Sequence, residues 1–165
     1  MTDTGKSPAP SYVYVTYIAT TAEKVWQALV DTDITQQYWV GPNETSVPHV
    51  NVSDWKEGSR WEHQRVDDER RVDMVGTVLE TQPPHRLVIS WARPAEEADQ
   101  SKHSRVTFDI APHGPGLIKL TVSHEDLESD PKMYAGISGG WPKVLSNLKT
   151  LLETGSPLPG SRAPG

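Results

Sequence analysis

Hydrophobic and polar residues alternate with a period of two along much of the chain. The segment 104–111 places Val106, Phe108 and Ile110 on one face, and 117–124 repeats the pattern with Ile118 and Leu120. Further strands are predicted at 12–18, 50–55, 60–66, 72–81 and 86–92. Such alternation is typical of an antiparallel sheet with one solvated and one buried face.

Helical spacing replaces this alternation in three places. Thr20 or Thr21 supplies a cap for a first helix, and a shorter one is predicted at 33–38. The last helix carries a stripe of apolar residues, followed by Gly155 as its C-terminal cap: Trp141, Val144, Leu145, Leu148, Leu151 and Leu152. Pro142 fits the first turn of this helix, or a kink if the helix already begins near Pro131.

The order of these elements predicts an α+β helix-grip fold. A curved antiparallel sheet of six or seven strands closes over the long C-terminal helix, and two short helices follow the first strand. One helix cannot fill the concave face of such a sheet, so a cavity should remain, open towards Trp39. We expect one domain at 12–155, between flexible tails at 1–11 and 156–165 that are rich in proline.

Composition narrows the possible functions. The 165 residues include no cysteine, which excludes disulfides and thiolate chemistry and suits a cytoplasmic location. The net charge of −6 argues against nucleic acid as a partner, and no apolar run is long enough to span a membrane. The six histidines are scattered singly, so no metal site and no cofactor are predicted.

Several segments resemble the family of activators of the heat-shock-protein-90 ATPase. They are AEKVWQAL at 22–29, QYWVGP at 37–42, GTVLE at 76–80, PPHRL at 83–87 and GWPKVL at 140–145. The resemblance also implies the START-like superfamily, which includes birch-pollen allergens, lipid carriers and polyketide cyclases. The resemblance implies a helix-grip fold around a hydrophobic cavity, and it leaves binding, catalysis and co-chaperone activity open.

The predicted cavity lining is mostly aromatic. The strand faces and the helix stripe place these residues towards the cavity: Tyr14, Trp39, Trp61, His63, Met74, Trp91, Phe108, His124, Trp141 and Leu145. Trp39 either stacks on a ligand at the cavity mouth or packs a lid onto the sheet. Trp61, Trp91 and Phe108 are either ligand contacts or filler of the core.

His124 is the one candidate catalytic residue. It shares a face with Leu120 and Val122 and should point to the cavity, where a neutral imidazole could orient a ligand or act as a general base. The alternative is a histidine at the sheet rim that is bonded to backbone or water. His63 could meet His124 only if their strands adjoin. The glycine-rich run 136–140 is interpreted as a turn or a close-packing contact rather than a phosphate cradle.

Three functions remain open from the sequence. The first is a non-catalytic carrier or sensor of a small hydrophobic molecule, with lipids among the candidates. The second is an enzyme of the cyclase or aromatase type, with His124 as acid and base. The third is a stress-related interaction module with a chaperone as partner. The sequence also leaves open a homodimer formed through an edge strand or an exposed aromatic residue.

Overall fold

The computed structural model describes residues 11–40, 47–67 and 69–159. Seven strands and three helices follow the predicted order: β1 (Tyr12–Ile18), α1 (Ala22–Val30), α2 (Thr32–Tyr38), β2 (His49–Ser53), β3 (Arg60–Arg65), β4 (Val72–Gln82), β5 (Arg86–Trp91), β6 (Ser104–Pro112), β7 (Ile118–Glu125) and α3 (Pro131–Thr154). Short 3-10 turns at Pro94–Glu96 and Gln100–Lys102 lie between β5 and β6. The predicted α+β helix-grip architecture is confirmed. The Gly41-Pro42 break and most of both predicted tails lie outside the described residues.

The strands form one antiparallel sheet in the order β1-β7-β6-β5-β4-β3-β2. Phe108 pairs with Val122, and both are buried, as the alternation along β6 and β7 predicted. The pairing shifts register between His63 and Gln64 on β3 and again at Leu79 on β4. Such bulges bend a strand and increase its twist, so they curve the half of the sheet that carries the cavity.

The two short helices are capped by side chains that the sequence places just before them. Thr21 accepts a hydrogen bond from the backbone N–H of Lys24 at the start of α1. Asp31 accepts from the N–H groups of Asp33 and Ile34 at the start of α2. These contacts satisfy backbone donors that have no partner within a first helical turn.

The long helix α3 begins at Pro131, so Pro142 lies inside it and not in its first turn. Asp130 caps the helix by accepting from the N–H of Met133, and Gly155 ends it with a φ of 86°. The run 136–140 is therefore helical, and the predicted turn is wrong. Close packing is wrong too, because a Cβ added at Gly136, Gly139 or Gly140 would meet nothing within 4 Å. None of the described helices is long and apolar enough to cross a membrane.

The apolar stripe of α3 packs onto the concave face of the sheet. Leu145 and Leu148 are almost completely buried there, as predicted. Asn147, which the helical pattern places on the polar side, is also completely buried. Its amide N–H group donates to the carbonyls of Tyr38 and Val40, and its oxygen accepts from the N–H of Leu158. Asn147 thus fastens the end of α2 and the segment after α3 to the long helix.

Candidate ligand-binding site

An open cavity of about 260 Å³ lies between α3 and the half of the sheet formed by β2 to β5. Its lining is mainly aromatic and aliphatic, with one polar corner: Trp39, His49, His63, Asp73, Met74, Trp91, Gly136, Ile137, Gly140, Trp141 and Val144. A second hollow of about 360 Å³ adjoins it and shares much of the same wall, including Trp39, His63 and Gly140. The helix therefore lies in the curved sheet without filling it.

Three tryptophans form the apolar wall of this cavity. The ring centroid of Trp141 lies 5.6 Å from that of Trp39 and 5.8 Å from that of Trp91. Each of the three side chains is less than a tenth exposed. Tilted and edge-to-face contacts at these distances stabilise aromatic clusters, so the rings hold one another in place. The wall presents large flat surfaces on which a planar ligand can stack.

The position of Trp39 is fixed from two sides. Its backbone carbonyl accepts a hydrogen bond of 3.0 Å from the N–H of His49 on β2. The carbonyls of its neighbours Tyr38 and Val40 accept from Asn147 on α3. The Trp39 ring lies between His63 and Trp141 and lines the cavity. Trp39 thus packs as a lid residue and at the same time offers a surface to the cavity.

A polar corner interrupts this wall where β2, β3 and β4 meet. The rings of His49 and His63 stack with centroids 4.3 Å apart and only 7° between their planes. Nδ1 of His63 lies 2.6 Å from Oδ1 of Asn51, and Nε2 of His49 lies 2.8 Å from Oδ2 of Asp73. The same carboxylate oxygen accepts from Nε of Arg65 at 2.8 Å. The corner is therefore held together by bonds among its own residues.

The electrostatics of the corner keep His63 neutral and Asp73 charged. Burial lowers the pKa of His63 well below 6.5, and the neighbouring His49 lowers it further. Burial alone would raise the pKa of Asp73, but hydrogen bonds from Arg65 and His49 outweigh it and lower that pKa. The corner thus presents a neutral imidazole and a carboxylate to the cavity.

His124 lies behind the cavity wall and is not among the residues that line the cavity. Its side chain is completely buried, with Nδ1 accepting from the indole N–H of Trp141 at 3.1 Å and Nε2 bonded to Ser104 at 2.8 Å. Burial lowers its pKa to about 4. The expectations that His124 points into the cavity or lies at a rim, bonded to backbone or water, are therefore corrected. His63 and His124 do not meet, although the ring of Trp91 contacts both.

The remaining predicted lining residues divide between wall and core. His63, Met74, Trp91 and Trp141 line the cavity together with Trp39. The other predicted residues are placed elsewhere: Trp61, Phe108 and Leu145 are buried in the core, and Tyr14 is half-buried on the edge strand β1. Trp61 packs so closely on β4 that a Cβ at Gly76 would lie 2.5 Å from its Nε1. The alternation of residues along each strand showed which side chains point inwards. It did not show how far from α3 each of them lies.

Sequence reasoning missed His49, Asp73 and the helix glycines as parts of the site. His49 begins β2, and the strand was predicted to begin one residue later. Asp73 follows Val72 at the start of β4, close to the register shift between β3 and β4, which parity cannot anticipate. Gly136 and Gly140 line the cavity because they lie on the helix face that turns towards its mouth. Gly136 and Gly140 are four residues apart, so they share one face of a helix that begins at Pro131. This spacing is the signal that could have shown their place in the site.

The polar corner brings two histidines and an aspartate together. No group of three or more histidine, aspartate or glutamate residues with suitable geometry occurs in the described ranges. His49 and His63 are stacked face to face, and each already has one ring nitrogen bonded to an oxygen of the protein. The two rings are parallel and do not converge on a common point, so the corner is a hydrogen-bonded cluster.

The curved sheet, the long helix and the cavity between them define a protein of the helix-grip class. The model of the family described as "Activator of Hsp90 ATPase homolog 1-like protein" matches residues 19–153, and the chain belongs to this family. The resemblance predicted from the sequence motifs is thereby confirmed. No curated protein matches the sequence.

Solved structures share the fold at low sequence identity. CalU16 from Micromonospora echinospora has a TM-score of 0.65 at 19% identity, over 89% of this chain and 78% of that one. A protein from Cytophaga hutchinsonii gives 0.66 at 24%, over 89% and 96% of the two chains. An HSP90 activator from Plasmodium falciparum gives 0.65 at 16%, over 86% and 95%. At these identities the similarity establishes the fold and nothing finer.

Proposed function

We propose that this protein binds a small, mainly apolar molecule in the cavity between α3 and the sheet, as a carrier or sensor. The observation that carries the proposal is the open cavity walled by Trp39, Trp91 and Trp141. A concave, mainly apolar lining with a few polar groups at one corner is the usual form of a small-molecule site. A cytoplasmic location, which the cysteine-free sequence favours, and a single domain at 12–155 are part of the proposal.

The size of the cavity limits the ligand. About 260 Å³ lies just below the usual range of small-molecule sites. An apolar cavity of about 150 Å³ is enough to hold benzene. The volume therefore suits a molecule with a single ring or two fused rings better than a long acyl chain. Such a molecule could extend into the adjoining hollow.

The expected affinity is modest. Burying about 200 Å² of apolar ligand surface contributes about 5 kcal/mol. The loss of translational and rotational freedom offsets part of this gain. We expect dissociation constants of about 0.2 mM or weaker for a simple two-ring aromatic molecule, because a net gain below about 5 kcal/mol corresponds to that range.

Calorimetric titration with naphthalene and native mass spectrometry of freshly purified protein test the proposal. The variant Gly140→Leu adds a side chain where a Cβ meets no other atom, so it should enter the cavity without disturbing the helix. We expect this variant to lose naphthalene binding. The matched control is Ala135→Leu, at an exposed position of α3 that does not line the cavity. Equal binding by both variants, or no binding by the wild type, would contradict the proposal.

The cyclase or aromatase hypothesis receives no support from its candidate residue. A general base must reach the proton that it removes. Both nitrogens of His124 are engaged by Trp141 and Ser104, and its side chain has no exposed surface. Catalysis by His124 would require the Trp141 wall to open first.

A second candidate function is an interaction with Hsp90. It is favoured by the family to which the chain belongs and by three exposed apolar side chains of the edge strand β1: Val13, Val15 and Tyr17. Purified Hsp90 with this protein added should then show faster ATP hydrolysis. The double variant Val13→Lys/Val15→Lys should abolish the effect, whereas Val52→Lys, at an exposed position of β2, should not. An unchanged ATPase rate with the wild-type protein would contradict a role as an activator of Hsp90.

A further inference from the structure

The polar corner of the cavity has three side-chain atoms without a hydrogen-bond partner among the described residues, Nε2 of His63, Nδ1 of His49 and Oδ1 of Asp73, and His63 is the most deeply buried of the three residues. His63 is 7% exposed, and its Nδ1 is bonded to Oδ1 of Asn51. Because an amide oxygen only accepts, Nδ1 carries the proton and Nε2 keeps its lone pair. Nε2 of His63 has no partner among the described residues. Two side-chain atoms of the described residues, Thr81 Oγ1 and Trp91 Nε1, have no partner and are completely buried. Nε2 of His63 is not one of these completely buried atoms.

The surroundings of His63 hold its ring in one orientation. His49 stacks on one face at 4.3 Å, and the Trp39 ring makes an edge-to-face contact at 5.2 Å. Asp73 holds His49 through a hydrogen bond of 2.8 Å and is itself bonded to Arg65. A preorganised acceptor loses little conformational freedom on binding, so a hydrogen bond to it contributes more to affinity and selectivity.

The atoms of the corner that line the cavity and have no partner are acceptors, because the N–H groups of His49 and His63 are already bonded to Asp73 and Asn51. Besides Nε2 of His63, the cavity lining contains the carboxylate of Asp73, whose charge is maintained by its bonds to Arg65 and His49. A ligand carboxylate placed here would face another negative charge and a lone pair. A ligand hydroxyl would instead supply the missing donor. The apolar wall opposite, formed by Trp91 and Trp141, suits a flat ring.

We infer that the cavity selects planar aromatic molecules that carry a phenolic or enolic hydroxyl, with that hydroxyl donating to Nε2 of His63. This inference rests on the proposed function and adds the chemical class of its ligand. The ring stacks within the tryptophan wall, and the hydroxyl turns towards β3. Neutral hydroxyl compounds bind better than their methyl ethers or parent hydrocarbons, and aromatic carboxylates bind worst.

A matched set of probes separates this inference from the proposed function. Calorimetric titration with 2-naphthol, 2-methoxynaphthalene, naphthalene and 2-naphthoate keeps the ring system constant. We expect 2-naphthol to bind about tenfold more tightly than 2-methoxynaphthalene, because the ether cannot donate a hydrogen bond. Equal binding of 2-naphthol, the ether and naphthalene would overturn the hydroxyl preference but leave the cavity proposal intact. If none of the four binds, both are overturned.

The variant His63→Phe assigns the preference to this residue. It keeps a flat ring and removes the acceptor, so the ratio of the two dissociation constants should fall close to one. The control His113→Phe changes an exposed histidine outside the cavity and should keep the tenfold ratio. A preference that persists in His63→Phe would overturn the assignment.

Nitrogen NMR of the wild-type imidazoles gives a readout that does not depend on any variant folding. In the free protein, His63 should show a protonated Nδ1 and an unprotonated Nε2. Addition of 2-naphthol should shift the Nε2 resonance, whereas addition of 2-methoxynaphthalene should not. A protonated Nε2 in the free protein would overturn the inference.

Discussion

Each nitrogen of His124 has a defined partner, and together the partners fix its tautomer. An indole N–H can only donate, so the contact from Trp141 requires a lone pair on Nδ1. Nε2–H then donates to the Ser104 hydroxyl, which donates in turn to the carbonyl of Trp91 at 3.2 Å. This chain links two of the three tryptophans of the cavity wall. His124 therefore acts as a support for the wall rather than as a group that contacts a ligand.

The buried, neutral state of His124 should make stability depend on pH. Its pKa of about 4 in the folded protein lies below the ordinary 6.5, so the unfolded chain takes up the proton first as the pH falls. The stabilisation is complete above pH 6.5 and is lost as the pH falls towards 4. On this account we expect the free energy of unfolding to drop by about 2 kcal/mol between about pH 7.5 and 5. Urea denaturation at the two pH values measures this drop.

His63 adds to the drop with the same sign, because burial lowers its pKa too. The variant His124→Gln isolates the contribution of His124, since the amide can still accept from Trp141 and donate to Ser104 but does not titrate. The difference between the two pH values should shrink by about 2 kcal/mol in this variant. It should remain as in the wild type for the exposed control His113→Gln. A full-size drop in His124→Gln would show that His124 is not the source.

For single residues, the sequence predicted which face of the sheet a side chain lies on better than whether that side chain reaches the cavity. The alternation along β3, β5 and β6 correctly placed Trp61, Trp91 and Phe108 on the buried face. Only Trp91 reaches the cavity, because distance from the helix depends on sheet curvature and not on parity. Asn147 was misplaced for a related reason. Helical spacing assigns a polar residue to solvent unless another segment covers it, and here α2 and Leu158 do so.

The first half of α3 differs in composition from the second. It contains Gly136, Gly139, Gly140 and Pro142, whereas the second half carries the buried leucines. Glycine lowers helix stability because it loses more backbone freedom, and an interior proline removes a helical hydrogen bond. The weaker half is the part that lines the cavity mouth. The glycines leave open space that side chains would otherwise occupy.

Replacing Gly139 with alanine should stabilise the protein. The position is exposed and helical, and the added Cβ would meet nothing within 4 Å. We expect the free energy of unfolding to rise by about 0.5–1 kcal/mol, the ordinary difference between the two residues inside a helix. Thermal and urea denaturation measure this change.

Gly76 on β4 provides the opposite case. A Cβ at this position would lie 1.9 Å from the carbonyl oxygen of Ser90, which also accepts the indole N–H of Trp61 at 2.7 Å. Gly76→Ala should therefore lower the free energy of unfolding by about 3 kcal/mol. Equal changes in Gly76→Ala and Gly139→Ala would contradict the distinction between a packed and an open glycine.

At the scale of elements, the strands were predicted closely, whereas the start of the last helix was left open between Pro142 and Pro131, and the helix begins at Pro131. Period-two alternation is a strong signal, and β1 and β6 begin at the predicted residues. The glycine-rich run hid the first half of α3, because glycine and serine favour turns in the absence of tertiary contacts. The cap at Asp130 and the buried Ile137 and Trp141 override that preference. Local propensity is a weak guide where packing decides.

Across the whole molecule, curvature of the sheet and the path of α3 together create the cavity. The register shifts on β3 and β4 lie in the strands that wall the cavity, where such bulges increase curvature, and the glycines of α3 leave the facing side open. The core below is closed, with Phe108, Leu145 and Leu148 almost completely buried. A cavity above a closed core allows the protein to fold independently of a ligand. The vacant volume nevertheless reduces packing contacts. A substitution that fills the cavity should therefore raise the stability of the free protein and weaken ligand binding.

This opposition predicts the behaviour of Val144→Phe. Val144 lies on α3, is 9% exposed and borders both the cavity and the adjoining hollow. The larger ring should occupy the space and bring the tryptophan wall a further contact, so we expect the free protein to gain about 1 kcal/mol and about 2–4 °C in Tm. It should also lose the stabilisation that 2-naphthol gives the wild type. Val144→Ala, the control, should melt lower but still gain from the ligand, because it enlarges the cavity. If Val144→Phe melts below the wild type and still responds to 2-naphthol, the space beside Val144 is not the space that the ligand fills, and the binding site lies elsewhere in the molecule.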